Sequence, residues 1–294
     1  MYTQKIYRHI NSNEYHYSYA GNYGARGEKR APKKNTTPEA VKRYSQILRQ
    51  RKMTRLIEDN FTEDDYWLTL KYRSGTRKSI EEVKLDIRKF FEGCRAAYKK
   101  TGNILKYIYR VEISKRGGIH FHVIMNRIPD MTKKINAIWK RRTGGNMEFE
   151  YIYDDSDYSA LAAYIVKEPD EEEAKQLSLF DKDERKTFIK YSASRNLIRK
   201  DPEVKRYSQW TMRHIFANDL KPTPGFAIVK SSIERGVNAY TGMAYLYYRE
   251  IRIDEGAIGM PVRLCECPYC HQFTLDEFRC TCRLKMRKRG RRCR

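Results

Sequence analysis

Residues 104–126 read ILKYIYRVEISKRGGIHFHVIMN and carry the clearest structural pattern in the chain. Its two halves are rich in β-branched and aromatic residues, and they flank the turn SKRGG at residues 114–118. Because adjacent glycines permit the positive φ of a tight turn, the pattern predicts a β-hairpin. Side chains alternate along a strand, so His120 and His122 face one side while Phe121 enters the core on the other.

Further elements surround this hairpin, and the period of their apolar residues identifies them. They are a strand at 66–72 (YWLTLKY), a helix from Ser79 to the TGN turn at 101–103, a helix at 131–139, a strand at 147–153, and a helix that ends near Lys167. Ser79 and Glu82 form a capping box, and the acidic residues 154–157 are candidate caps for the last helix. The resulting order, β-α-β-β-α-β-α, predicts an α+β fold whose first six elements match the ferredoxin-like split arrangement.

The composition points to a polyanionic partner. Sixty Lys and Arg residues outnumber 37 Asp and Glu residues, which leaves a net charge of +23. Nucleic acid is the leading candidate for such a partner. No apolar run reaches the length that spans a bilayer, and the first residues lack the apolar core of a signal peptide. We therefore expect a cytoplasmic protein with no membrane partner.

The hairpin carries a candidate metal site. Two imidazoles on one face of a strand form a rigid half-site for a divalent cation. Glu112, eight residues before His120 on the preceding strand, is the expected third ligand. The alternative is a hairpin with two surface histidines and a solvated glutamate. With only six histidines in the chain, the spacing of His120 and His122 beside a carboxylate favours the metal.

Tyr164 and Lys167 form a candidate catalytic pair. Three residues apart on a predicted helix, they are expected on one face. A phenol is a weak nucleophile near neutral pH, and a nearby cation stabilises its anion or the charge that develops on a phosphate. Tyr158 lies six residues earlier, off that face, and is interpreted as structural. The Tyr-x-x-Lys pattern alone is weak evidence for a catalytic pair. Its position after the histidine strand strengthens that interpretation.

Three segments of the chain resemble, in order, the three motifs of the HUH endonuclease superfamily. They are the strand YWLTLKY, Glu112 with the His120-Phe121-His122 triplet, and Tyr164-Ile165-Val166-Lys167. Within it, the chain resembles rolling-circle replication initiators of Gram-positive plasmids, phages and integrative elements. The resemblance spans about residues 61–210. It implies a palm with a central antiparallel five-stranded sheet and flanking helices, Mg²⁺ or Mn²⁺ bound by Glu112, His120 and His122, and attack on single-stranded DNA by Tyr164.

The resemblance also implies the products and the partners. The 5′ phosphate becomes joined to the tyrosine, the free 3′ hydroxyl primes replication, and a second strand transfer recloses the circle. An origin hairpin is the expected DNA site. The sequence contains no G-x-x-x-x-G-K-[ST] phosphate loop, so the helicase is expected to come from the host.

This interpretation divides the chain into four parts. They are a basic N-terminal arm and helix at 1–60, an endonuclease domain at 61–220, an accessory β-rich segment at 221–260, and a Cys-rich, zinc-binding basic tail at 261–294. The arm mixes Gly, Asn, Tyr and basic residues, and we expect it to be mobile up to a helix near 41–57. An acidic run at 168–184 is interpreted as a solvated linker or helix face.

Five of the seven cysteines lie between Cys265 and Cys282 in the tail, where they indicate metal binding. Cys267, Cys270, Cys280 and Cys282 form two close pairs separated by nine residues, a spacing that suits a tetrahedral Zn²⁺ in a zinc-ribbon-like tail. Cys265 and His271 are alternative ligands, and a pair of reduced, unliganded cysteine clusters is the other interpretation. Cys94 lies in the apolar stripe of the first predicted helix, so we expect it in the core.

Two other classes of protein fit parts of the pattern. A non-catalytic RNA- or DNA-binding module of the same fold explains the charge and the aromatic residues. It does not explain why Glu112, His120, His122 and Tyr164 occur in this order. A relaxase or a transposase shares the chemistry, and a covalent adduct to the 5′ phosphate at a nick distinguishes this whole class from a binding module.

Overall fold

The structure is a computed structural model that describes residues 1–20, 37–152, 158–180, 188, 190–208, 215, 220–238, 242–253, 265–266 and 273–274. Its described residues form an α+β protein with two larger antiparallel sheets and one antiparallel strand pair. In chain order the elements are β1 (Tyr2–Arg8), β2 (Ser12–Tyr19), α1 (Pro38–Glu58), β3 (Tyr66–Lys71), α2 (Ile80–Lys99), β4 (Tyr107–Ile113), β5 (Ile119–Met125), α3 (Thr132–Thr143), β6 (Asn146–Tyr151), α4 (Ser159–Val166), α5 (Glu171–Leu177), β7 (Tyr191–Ala193), β8 (Glu203–Tyr207), β9 (Phe226–Ile228), a 3₁₀ turn (Lys230–Ser232), β10 (Glu234–Val237), β11 (Ala244–Arg252), β12 (Cys265–Glu266) and β13 (Phe273–Thr274).

Contacts divide the chain into two compact units, residues 35–201 and residues 1–34 with 202–294. The first unit contains a five-stranded sheet in the order β6-β3-β5-β4-β7, with every neighbouring pair antiparallel. The predicted hairpin is β4 and β5, joined by a turn in which Gly117 has a φ of 74°. The predicted order of elements and the five-stranded antiparallel sheet are therefore confirmed.

Helices cover both faces of this sheet because its strands alternate apolar side chains between two clusters. On one face, α2 and α3 pack over a core that includes Leu70, Phe121 and Trp139, all fully buried. On the opposite face, α1 and α4 contribute Ile57 and Ile165 to a second cluster. Phe121 thus enters the core as predicted, and the two histidines beside it lie on the face that α1 and α4 cover.

The predicted start of α2 is confirmed. Ser79 is its N-cap: the Ser79 hydroxyl accepts a hydrogen bond from the Glu82 backbone N–H at 3.2 Å, and the Ser79 N–H donates to the Glu82 carboxylate at 2.9 Å. Cys94 is fully buried on the apolar side of this helix, also as predicted. The two reciprocal bonds satisfy donors that a helix terminus otherwise leaves open.

Ser79→Ala is expected to lower the free energy of unfolding by about 1 kcal/mol, because it removes the cap while leaving the buried face of α2 intact. Urea unfolding followed by circular dichroism measures the change. Ser74→Ala, which alters an exposed serine in the preceding turn, is the matched control. Equal stability of the two variants would contradict a stabilising cap.

The region after β6 differs from the sequence expectation. Helix α4 begins with Tyr158 as an N-cap that makes no side-chain capping bond, and the predicted caps at 154–157 lie outside the described residues. The acidic run is not simply a solvated linker or helix face. It contains α5, whose Glu173 is buried and forms an ion pair with Arg110.

The second unit is built on a sheet in the order β10-β11-β2-β1-β8, with β9 also paired to β11. The expectation of a mobile arm is wrong for residues 1–20, which form the antiparallel β1–β2 hairpin. Tyr2, Ile6 and Tyr15 are buried in an apolar cluster of this sheet. The many polar residues around them make the apolar alternation of a strand difficult to recognise in the sequence. The helix predicted after the arm and the β-like stretches at 226–253 are confirmed as α1 and as β9 to β11.

The predicted zinc ligands Cys267, Cys270, Cys280 and Cys282 lie outside the described residues, as does the alternative His271. From this tail the structure describes the pairing of β12 with β13. Within the described ranges, no helix has both the length and the apolar character needed to cross a bilayer.

Candidate active site

Strand register brings the predicted metal ligands to one face of the first unit's sheet. In the β4–β5 pairing, Glu112 is opposite His120 and Arg110 is opposite His122. On the other side of β5, Lys71 and Thr69 of β3 occupy the matching positions. Because residues directly opposite each other share a face, all six side chains belong to one patch of the sheet.

His122 is the most closely surrounded of the predicted ligands. Its ring stacks on the Trp67 ring, with centroids 5.6 Å apart and an interplanar angle of 18°. Its Nδ1 lies 3.3 Å from the Thr69 hydroxyl, and its Nε2 lies 3.0 Å from a carboxylate oxygen of Glu112. These contacts hold the ring plane and direct Nε2 toward Glu112.

Helix α4 places Tyr164 over the same patch. The Tyr164 hydroxyl donates a hydrogen bond of 2.6 Å to the Glu112 carboxylate oxygen that also faces His122. The phenol ring meets the rings of Trp67 and His122 edge to face, with centroids 5.8 Å and 5.2 Å away. Three residues nominated from sequence, Glu112, His122 and Tyr164, are therefore in direct contact.

Burial and charge set the protonation states of this group. Burial lowers the pKa of His120 and of His122, although the Glu112 carboxylate opposes the shift in both. Burial raises the pKa of Glu112, but the hydrogen bonds from Tyr164 and His122 and the charge of Arg110 outweigh it, so the net pKa is below its usual range. The site thus holds neutral imidazoles and a carboxylate near neutral pH.

The phenol itself is protonated in this arrangement. Burial, followed by the hydrogen bond to Glu112 and the charge of that carboxylate, raises the pKa of Tyr164 well above its usual range. The nearby Arg110 guanidinium opposes this shift. Tyr164 is therefore a hydrogen-bond donor to Glu112 as long as the carboxylate faces it.

The donor set has the chemistry of a divalent cation site. Two neutral imidazoles and one carboxylate, on the same face of adjacent strands, are ligands that Mn²⁺ and related ions accept. In the described part of the chain, no three His, Cys, Asp or Glu side chains already converge as a cation site. The Glu112 carboxylate is turned to Tyr164 and His122, while His120 is its register partner.

Lys167 lies just beyond the end of the helix that carries Tyr164, and its predicted role beside the phenol stays a prediction. Helix α4 ends at Val166, and Lys167 is its C-cap with an extended ψ of 132°. The Lys167 ammonium is half exposed and lies 3.3 Å from Asp170.

Arg110 is the cation that sequence reasoning missed. Its guanidinium carbon lies 5.8 Å from the centroid of the Tyr164 ring, and the side chain is 2% exposed. The available signal was a lone arginine in the apolar run YIYRVEI, two residues before Glu112 and so on the same face. Tyr158, interpreted as structural, packs against the apolar cluster that contains Ile165.

Comparison with known proteins matches residues 65–169 to the family model for replication-associated protein ORF2. The matched segment is a little over a third of the chain and contains all five nominated catalytic and metal-binding residues of the first unit. No curated protein and no solved structure matches the chain significantly. The part of the chain that holds the candidate active site is thus similar to a family of replication-associated proteins, which supports a role as a replication initiator.

Proposed function

We propose that this protein is a rolling-circle replication initiator that nicks single-stranded origin DNA through Tyr164. The observation that carries the proposal is the contact of the Tyr164 hydroxyl with Glu112, 3.0 Å from His122, inside the segment that matches replication-associated proteins. A tyrosine at the edge of a carboxylate and imidazole cluster has the groups that phosphoryl transfer needs.

The reaction is a transesterification. The Tyr164 Oη attacks a backbone phosphorus, the bond from phosphorus to the 3′ oxygen breaks, and a 5′-phosphotyrosine forms. The phenol proton is lost and the departing 3′ oxygen ends as a hydroxyl, so the exchange needs no oxidant or reductant. Attack by a 3′ hydroxyl on the phosphotyrosine reverses the step, restores the phenol and rejoins a strand.

Glu112, His120 and His122 are the residues that would hold Mg²⁺ or Mn²⁺, and such a cation polarises a non-bridging phosphate oxygen when bound. Trp67 and Thr69 orient His122 for this task through ring stacking and the contact with Nδ1. The half-exposed Lys167 is proposed as a contact to phosphate at the end of α4. In this role Lys167 stabilises charge on the phosphate and does not stabilise the Tyr164 phenolate.

The sheet order β6-β3-β5-β4 is compatible with the ferredoxin-like arrangement, and we propose the first unit as an HUH palm with β7 as its fifth strand. The net charge of +23 supports binding of single-stranded DNA through its phosphates, with an affinity that falls steeply as salt rises. An origin hairpin and a host helicase are the proposed partners.

A strand-cleavage assay tests this function. The full chain is incubated with Mn²⁺ and single-stranded origin oligonucleotides labelled at either end, and denaturing gels separate free DNA from protein-bound DNA. We expect a covalent adduct that carries the DNA on the 3′ side of the nick, together with a free 3′ hydroxyl. DNA binding without any adduct would instead identify a non-catalytic binding module.

The cysteine-rich tail is proposed to hold one structural Zn²⁺ and to help to dock DNA. A segment this short cannot bury a core, so metal ligation would supply its folding energy. Purified protein is expected to contain about one zinc per chain, and Cys267→Ser with Cys270→Ser to lose it, as measured by elemental analysis. Cys94→Ser, at a buried cysteine outside the tail, is the control. Absence of zinc after reducing purification would overturn this assignment.

A further inference from the structure

The end of helix α4 lies just beyond the nucleophile, and it has unusual support. The helix has eight residues and ends at Val166 without a glycine, since its C-cap is Lys167 in an extended conformation. Carbonyl groups in the last turn of a helix have no partner within the helix. The carbonyl groups that follow Tyr164 therefore need hydrogen-bond donors from outside α4.

Arg110 supplies that support from the sheet. One guanidinium nitrogen donates hydrogen bonds to the carbonyl oxygens of Ile165 at 3.2 Å and of Lys167 at 2.6 Å. The other terminal nitrogen donates to the Glu173 carboxylate at 3.2 Å. Because Arg110 lies opposite His122 in the β4–β5 register, the same strand pair anchors both the helix end and the predicted metal ligands.

The ion pair with Glu173 is buried on both sides. Arg110 is 2% exposed and Glu173 is 4% exposed. A buried ion pair contributes little net stability, because the cost of removing both charges from water offsets their attraction. Its geometry is therefore better explained by what it positions. The guanidinium touches the end of α4 and the start of α5, and it lies 5.8 Å from the Tyr164 ring centroid.

We propose that Arg110 is a positioning residue that holds the Tyr164 hydroxyl in line for attack, with Glu173 fixing the orientation of the guanidinium. This rests on the proposed function, since it assigns a role in the nicking step of that same site. Arg110 does not touch the reacting atoms; it acts through the backbone of α4 and through the face of the phenol ring. The planar fork of arginine is required because three acceptors in different directions must be bonded at once.

Two variants separate this role from a loss of folding. Arg110→Lys keeps the charge, but it replaces the two separated terminal nitrogens, one facing the carbonyls and one facing Glu173, with a single nitrogen. Arg110→Met combined with Glu173→Met removes the pair together, so no buried carboxylate is left without its partner. Arg142→Lys is the matched control, since Arg142 bonds the buried Asp86 at 2.8 Å on the opposite side of the sheet.

Each variant is measured for DNA affinity by fluorescence anisotropy and for single-turnover adduct formation with Mn²⁺ at saturating DNA. For both Arg110 variants we expect affinity within about twofold of wild type, because phosphate contacts elsewhere supply it. We expect adduct formation to fall by roughly 10²-fold, the effect of misplacing a reacting atom by about 1 Å. Hydrogen exchange at the end of α4, where the Lys167 N–H bonds the Tyr164 carbonyl, should accelerate in the Arg110 variants only.

An adduct rate equal to that of wild type in either folded Arg110 variant would overturn the assignment. So would an equal loss of rate in Arg142→Lys. If wild-type protein forms no adduct at all, the proposed function fails instead, and hydrogen exchange still decides whether Arg110 holds the end of α4.

Discussion

Tyr164→Phe is expected to abolish the covalent protein–DNA adduct while DNA affinity stays within about twofold of wild type. The phenyl ring retains its edge-to-face contacts with Trp67 and His122, so the local packing survives. The attacking oxygen is gone, and the hydrogen bond to Glu112 goes with it. Denaturing gels of labelled oligonucleotide detect the adduct, and anisotropy measures the affinity.

Tyr158→Phe is the matched control for this variant, because it removes a hydroxyl at the start of the same helix. Tyr158 packs against the apolar cluster of α1 and α4, so its phenylalanine variant should form the adduct at close to the wild-type rate. An adduct that persists in Tyr164→Phe would move the nucleophile to another tyrosine. Mass spectrometry of the DNA-linked peptide would then identify it.

His120→Ala and His122→Ala are each expected to reduce Mn²⁺-dependent cleavage by about 10³-fold or more, since losing Lewis-acid stabilisation costs several kcal/mol in the transition state. DNA affinity should change little, because Lys and Arg contacts to phosphate supply most of it. Cleavage rates at saturating DNA over a range of Mn²⁺ concentrations measure the effect. His16→Ala, on β2 in the other unit, is the control and should cleave normally.

Calorimetry gives this prediction a readout that does not depend on cleavage. The His120→Ala and His122→Ala double variant should show no specific Mn²⁺ binding at the first unit. Undiminished Mn²⁺ binding by a folded double variant would remove both histidines from the metal site. Circular dichroism confirms that each variant is folded before binding is compared.

Much of the first unit could be predicted because its signals are local. The alternation in β5 assigns His120 and His122 to one face, and the hairpin turn then brings Glu112 opposite His120. The capping box at Ser79 marks the start of α2 within one residue. Each inference needs only neighbouring residues and the fixed periods of strands and helices.

The incorrect predictions have a common cause, because each concerns a structural feature that depends on residues far apart in the sequence. Residues 1–20 look like an arm until β2 pairs with β11 and β1 with β8, more than 190 positions away along the chain. Glu173 looks solvated until Arg110, 63 residues away, forms its buried ion pair.

Local sequence patterns predicted the order of elements from β3 to α4, the faces of the hairpin and the candidate residues for metal binding and for attack on a phosphate. Those properties depend on backbone periodicity and on the chemistry of single side chains. The packing of α4 on the sheet, in contrast, brings Tyr164 to Glu112 across 52 residues and makes Arg110, in place of Lys167, the cation against its ring. A hydrogen bond between distant elements depends on how helices pack on the sheet, and no local period encodes that distance.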